Sequence, residues 1–238
     1  MATTDNSLET RTPPFLPVTR DGLVDRVADS LAEAILAGRM APGDRIAEST
    51  IARQMDLSRA PVREALRRLE SSGLVDYKTN RGFFVHAITG ESLANLYELR
   101  IVIETAAVAR LVRTNAGAAL PGLQAQLDEL RRLAEVGADM ATHVSADMEF
   151  HRMICAASGN PRFLQVFDQI ANETRLGILV IGRLYDDQTV LAETHEPIMR
   201  AIEARDAETA AAAIAHHIGY ARDQVAKLFD SNQEGTHR

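Results

Sequence analysis

Leu57-Ser58-Arg59-Ala60-Pro61-Val62-Arg63-Glu64-Ala65-Leu66-Arg67-Arg68-Leu69-Glu70, closed by Ser71-Ser72-Gly73, is the stretch that decides how this chain folds. It reads as one short helix with a marked start and stop. Ser58 suits the N-cap, where its hydroxyl can accept from a first-turn N–H. Pro61 is tolerated because first-turn N–H groups have no helical partner. Gly73 suits the left-handed residue that ends a helix. Val62, Leu66 and Leu69 form an apolar stripe, while Arg59, Arg63 and Arg67 recur at i, i+4, i+8 on another face. Three guanidiniums along one ridge, starting at a helix N-terminus, suit phosphates and guanine edges. A solvated basic face paired with Glu64 and Glu70 is the plain alternative, so the neighbours have to decide.

They favour nucleic acid. Upstream, Leu23, Val27, Leu31 and Ile35 with Val24, Ala28 and Ala34 predict a helix of about 17 residues ending at Gly38. Residues 39–44 carry Pro then Gly and form a turn. A short helix from about Glu48 to Met55 buries Ile51 and Ala52, and Asp56-Leu57 turns into the arginine-bearing helix. Two helices across so short a turn, the second basic, make a helix-turn-helix. Downstream, residues 74–78 and 83–86 predict two strands around the turn Thr79-Asn80-Arg81-Gly82. Lys78 and Arg81 near that tip make the hairpin a basic wing, although a hairpin that merely covers the helices has the same pattern.

The chain has 238 residues, a net charge of −7 and 46% hydrophobic residues. The total hides an asymmetry. Residues 1–86 hold 12 basic and 12 acidic side chains, whereas 87–238 hold 14 and 21; within 53–81 the balance is 7 to 4. Polyanion affinity follows clustered charge, so any DNA contact belongs to the first third. A single cysteine, Cys155, excludes an intrachain disulfide. The longest apolar run, near 176–181, is too short to cross a bilayer, and the N-terminus lacks a secretory layout. A cytoplasmic protein with no membrane partner is expected.

Beyond the linker 87–90, with Thr89 as a helix cap, every segment reads as helix: 91–113, 123–136, 142–157, 162–184, 190–204 and 207–229, the last capped by Asp206. Residues 115–122 are expected to break the chain between the first two, and Ser158-Gly159-Asn160-Pro161 is a hard stop. Residues 1–17 and 230–238 read as flexible tails. The fold class is therefore mostly α: an N-terminal winged helix-turn-helix followed by an antiparallel helical bundle.

Inside that bundle lie the residues with chemistry. Asp147 and His151 stand at i, i+4 on one helix, flanked by Val144, Met148 and Ile154, hence beside the core. His217 shares its side of the last helix with Ala213, Ile214, Ala221 and Val225, while His216 is turned away. His195 precedes Pro197 near a helix start. One carboxylate and three imidazoles suit zinc first, then nickel, cobalt or manganese. Each histidine alone reads better as a hydrogen-bonded core residue, and spacing does not show that His195 and His217 converge. Cys155, a turn further along, is a buried thiol or a soft ligand. Arg100, on an apolar stripe with Glu104 at i+4, is an internal ion pair or an anchor for a ligand carboxylate.

Taken together, Leu57–Leu66, the preceding Gly38…Pro42-Gly43, Gly73-Leu74-Val75 and Asn80-Arg81-Gly82-Phe83-Phe84-Val85 resemble the DNA-binding domain of GntR-type bacterial repressors. Leu99-Arg100 with Glu104, Asp147…Phe150-His151, Ser158-Gly159-Asn160, His195 and His217-Ile218 resemble the FCD effector domain of the FadR-like branch, with the length of the six-helix VanR-like variant. The resemblance implies a winged helix-turn-helix domain at 18–86 and an effector- and metal-binding domain at 91–229. It assigns DNA contacts to Ser58, Arg59, Arg63 and Gly82, to which Arg67 and Arg81 are added from their charge and place. Ser49 stands where some members carry a DNA-contacting arginine. The metal set would be Asp147, His151, His195 and His217, with Arg100 toward a small organic acid effector. A homodimer on a near-palindromic operator, regulatory rather than enzymatic, is the expectation. The alternative is a metal-dependent enzyme that uses the same four residues to activate water, with Glu149 and Glu196 adjacent in sequence.

Overall fold

A computed structural model describes residues 22–182 and 193–235. The chain is mostly helical, with a small sheet in its first third. Helices α1 (Leu23–Leu36), α2 (Glu48–Gln54) and α3 (Arg59–Ser71) precede the hairpin strands β2 (Val75–Lys78) and β3 (Gly82–Val85). A two-residue strand β1 (Arg45–Ile46), not foreseen in the sequence, pairs antiparallel with β3, giving the order β1-β3-β2. Two residues cannot show an alternating pattern, so β1 is visible only through its partner.

In the head, apolar periodicity becomes burial. Val27, Leu31 and Ile35 of α1, Val62, Leu66 and Leu69 of α3, and Phe83 and Val85 of β3 share one core. Helix α3 ends as its sequence predicts. Gly73 takes φ 74°, and Leu74 N–H donates to Leu69 O while Gly73 N–H donates to Glu70 O, which satisfies two terminal carbonyls. Its start differs from expectation: Ser58 occupies the N-cap in an extended conformation, but its side chain makes no capping bond. Asn80, at φ 61°, and Gly82, at φ 91°, turn the hairpin.

The second core lies among α4 (Gly90–Thr114), α5 (Ala116–Glu135), α6 (Met140–Ala157), α7 (Pro161–Gly182), α8 (Glu196–Glu203) and α9 (Ala207–Gly235). Thr89 and Ser92 cap α4 reciprocally, Asp139 caps α6, and Asp206 accepts from two N–H groups at the start of α9. The expected break at 115–122 is a correction. Asn115 alone separates α4 from α5, and Pro121 sits inside α5. A proline costs a helix interior about 3 kcal/mol. Leu123, Leu127, Leu130 and Leu133 are all buried on that helix, and at roughly 1.5–3 kcal/mol each they outweigh it. The helix expected over 190–204 begins at Glu196 in its described part, with 183–192 outside the described residues. The last helix runs to Gly235, past the expected end at 229. The tail expected at 1–17 lies outside the described residues.

The two parts touch through α7. Its Leu176 is 3% exposed and belongs to the core of the head, not of the bundle. No described helix is long and apolar enough to cross a membrane.

Candidate metal centre and DNA-reading face

Helix α6 sets the first half of the centre. One turn apart, Asp147 and His151 face the bundle interior, 8% and 0% exposed. His195, at the N-cap of α8, brings its Nε2 to 3.2 Å from Asp147 Oδ1 and is fully buried. His217, on α9, stacks against His151 with Nε2 3.2 Å from His151 Nε2. Phe150 packs edge-on against His195 at 4.8 Å between centroids. One ligand atom from each of the four residues lies within 4.8 Å of all the others. Sequence spacing left the convergence of His195 and His217 open; the fold supplies it.

Behind them stands a charged chain that begins on α4. Arg100 Nε donates to Glu104 Oε1 at 2.8 Å, and His151 Nδ1 lies 2.5 Å from Glu104 Oε2. Arg100 is thus the internal ion pair that its i+4 spacing suggested, though one of its terminal nitrogens, Nη2, is buried without a partner. Burial opposes the charge on Glu104, but Arg100 and His151 outweigh it and hold the carboxyl below its ordinary range. Burial likewise opposes Asp147, and the hydrogen bond to His195 with the neighbouring imidazoles holds it well below. Burial first, then His195 and His151, push His217 well below the ordinary histidine value, so it stays neutral.

These states fit a cation. A carboxylate accepts from Nδ1–H, and in the neutral ring this leaves His151 Nε2 with a lone pair, facing Nε2 of the neutral His217. Two lone pairs opposed at 3.2 Å repel unless a proton or a cation lies between them. Three imidazoles and one carboxylate are a donor set for a first-row divalent ion. Cys155 is outside the set; burial, with Glu104 adding to it, raises its thiol and keeps it protonated. His216 is exposed, as its position predicts. Glu149 is engaged by Arg152, and Glu196 by Arg131 and Arg200. Two features escaped the sequence reading. Glu104 serves His151 as well as Arg100, and nothing in a separation of 47 residues signals that. His143 is 1% exposed with Nε2 unpartnered, on the Asp147/His151 face one turn earlier; the spacing 143/147/151 was the available signal.

On the head, Ser58, Arg59, Arg63, Arg67 and Arg81 are all exposed, and Gly82 is partly so. Arg59 has no ion pair among the described residues, and Arg63 Nε is 4.0 Å from Glu48. Arg67 is more committed: it bonds Glu70 at 2.7 Å and lies 4.0 Å over the Tyr77 ring, fastening α3 to the wing. Arg68 is tied to Asp25. Lys78 and Arg81 lie over Phe84 at 4.9 and 5.6 Å. The free cationic groups therefore line the N-terminal half of α3 and the wing.

Comparison with known proteins places these features in a family. Residues 23–85 match the bacterial regulatory proteins of the gntR family, and residues 95–220 match the FCD domain. A probable D-xylose utilization operon transcriptional repressor of Paenarthrobacter nicotinovorans is 29% identical over 84% of this chain and 88% of its own. The gluconate operon transcriptional repressor of Bacillus subtilis is 27% identical over 87% of each. Among solved structures, a transcriptional regulator from Rhodococcus sp. RHA1 superposes with a TM-score of 0.73 at 28% identity, over 85% of this chain and 96% of that one. The E. coli protein McbR/YncC, 24% identical, shares the fold with a TM-score of 0.75 over 87% and 99%. With an arginine-lined winged helix-turn-helix ahead of a helical domain, the chain is a transcriptional regulator of the GntR family that carries an FCD domain.

Proposed function

We propose that this regulator is a cytoplasmic repressor that binds a near-palindromic double-stranded operator as a homodimer and responds to a small organic acid through a divalent metal. Convergence of the Asp147, His151, His195 and His217 ligand atoms within 4.8 Å, with Glu104 fixing the His151 tautomer, carries the reading. Repressor names among the relatives support the direction of control. When bound, the metal, with zinc first and nickel, cobalt or manganese as alternatives, supplies a positive anchor for a carboxylate. The unpartnered Nη2 of Arg100 supplies a donor at the same centre. On the head, Arg59 and Arg63 reach base edges and phosphates, Ser58 and Gly82 meet the backbone, and Arg81 follows the wing. Arg67 mainly braces the wing. Effector binding favours one spacing of the two heads over another by about 1–3 kcal/mol, which shifts the population between them.

The metal half is tested by elemental analysis of protein purified without chelators and reloaded with zinc. One ion per chain is expected, lost in Asp147→Ala and His151→Ala; wild-type protein that takes up none would sink the reading. The head is tested by Arg59→Ala, which is expected to weaken specific operator binding about 5- to 150-fold at physiological salt. Unchanged affinity would remove Arg59 from the interface.

A further inference from the structure

Helix α4 carries, on the side away from the bundle core, a face that the other described residues leave uncovered. Glu91, Asn95, Glu98, Leu99, Val102, Ala106, Ala109 and Arg113 recur at intervals of three and four and so share one stripe. None of them is buried. Val102, at the middle, is 67% exposed, the most exposed large apolar side chain among those described, and Leu99 is 41% exposed. From Glu91 to Arg113 the stripe is about 33 Å long at 1.5 Å per residue. Its C-terminal half holds the small residues Ala106 and Ala109, and its N-terminal half the longer Asn95 and Glu98.

Charge and size along the stripe are related by a symmetry. Glu91 and Glu98 stand in the N-terminal half and Arg113 at the C-terminal end, and none of the three has an ion-pair partner among the described residues. Glu91 and Arg113 are equally far from Val102 in sequence, as are Asn95 and Ala109, and Glu98 and Ala106. A two-fold axis through Val102 thus sets α4 antiparallel to its own copy. Glutamate then meets arginine at both ends. Between them each longer polar side chain, Asn95 or Glu98, meets an alanine that leaves room for it, and Val102 meets Val102. Parallel pairing would instead oppose like charges at each end and long side chains to each other. Self-complementarity of this kind is what an interface between identical chains requires.

We propose that the dimer forms through this face, α4 against α4 of a second copy, antiparallel and centred on Val102. The inference rests on the homodimer reading above and specifies its surface. Because α4 also carries Arg100 and Glu104 on its inner side, the interface shares a helix with the residues that stand behind His151.

The test separates the two claims. Sedimentation velocity of the wild-type full-length chain asks whether it is a dimer at all; a monomer at micromolar concentration ends both. Given a dimer, Glu91→Arg and Arg113→Glu each oppose like charges at two places, and each is expected to weaken dimerisation by about tenfold. The double variant restores it, since opposite charges face each other again. Cysteine cross-linking reads the register. Val102→Cys alone is expected to give a covalent dimer under mild oxidation, because that residue meets its own copy. Asn95→Cys and Ala109→Cys are expected to do so only when combined in one chain. The native Cys155 is buried and stays out of the reaction. Circular dichroism confirms that the fold survives each change. A wild-type dimer unaffected by both charge reversals, or cross-linked by Asn95→Cys alone and not by Val102→Cys, overturns the surface while leaving the dimer standing.

Discussion

At Glu104 two demands meet on one carboxylate. One oxygen balances Arg100, the other fixes the His151 ring, and all three side chains are at most 3% exposed. Glu104→Gln keeps an acceptor for His151 but removes the charge. Groups that hold a metal ligand from behind change metal affinity by about 10–100-fold, so zinc binding, read by competition with a chromophoric chelator, is expected to weaken by that factor. Stability should fall as well, by about 3–5 kcal/mol, because Arg100 is left charged and buried. The two readouts separate the roles: a residue that serves only packing would lower the denaturation midpoint and leave the zinc affinity of the folded protein untouched. The same residues show what a sequence can and cannot carry. The Asp147/His151 pair was legible because one helix fixes both side chains. His195 and His217 are 48 and 70 positions from Asp147, and only the packing of α9 along α4, and of α8 on α5 and α9, brings them in. Ser58 differs the other way. Its place at the N-cap follows from the sequence, but whether its hydroxyl caps or faces solvent depends on a rotamer that no pattern encodes.

Between single residues and the molecule stands α7, which belongs to the bundle yet docks on the head. Gly73, at the end of α3, is tightly opposed by α7: a Cβ there would lie 2.9 Å from Glu173 Cβ, on a backbone already at φ 74°. Gly73→Ala therefore meets both conformational strain and a clash, and is expected to lower stability by more than the ~1 kcal/mol typical of glycine replacement alone. Glu173→Gly in the same chain, which removes that Cβ, should recover the part due to the clash and not the strain at Gly73, whereas Glu173→Ala keeps the Cβ and should recover less, as read by urea denaturation against each Glu173 variant alone. Glu173 itself is held above its ordinary value by burial, with Asp76 adding to that and His86, 3.7 Å away, opposing it. A carboxyl raised on folding stabilises while it is protonated, and that contribution is lost as pH rises through its folded value. Glu173→Gln is accordingly expected to raise the melting temperature at pH 7 relative to wild type, with the gain shrinking as pH falls toward 4. A gain constant across that range would contradict the assignment. Element boundaries were legible where a cap or a stop marked them, as at Thr89, Asp139, Gly73 and Pro161. They were not where local chemistry lost to burial, as at Pro121, whose helix is held by four leucines, or where an element is as short as β1.

For the whole molecule the question raised by the proposed function is how a change at the candidate metal centre would reach the DNA, and α7 offers a physical route. It packs along α6, which carries Asp147 and His151, and its Leu176 sits in the core of the head among residues of α1 and α3. A shift of α6 would thus be passed to the helix that holds the head, with no contact needed between the candidate metal centre and α3. If the proposed regulation runs this way, the coupling depends on that one apolar anchor. Leu176→Ala removes a buried side chain and should cost about 2–5 kcal/mol, borne by the contact between the parts more than by either core, so that thermal unfolding splits into two transitions. Operator binding by the head should persist, because Arg59, Arg63 and the wing are untouched. What should disappear is the difference in operator affinity between zinc-loaded and chelator-treated protein, followed by fluorescence anisotropy of a labelled operator. Wild type is expected to show about a 5- to 150-fold difference, and Leu176→Ala little or none. A variant that keeps the full zinc effect while unfolding in two steps would show that the signal passes through the linker or across the proposed dimer and not through α7.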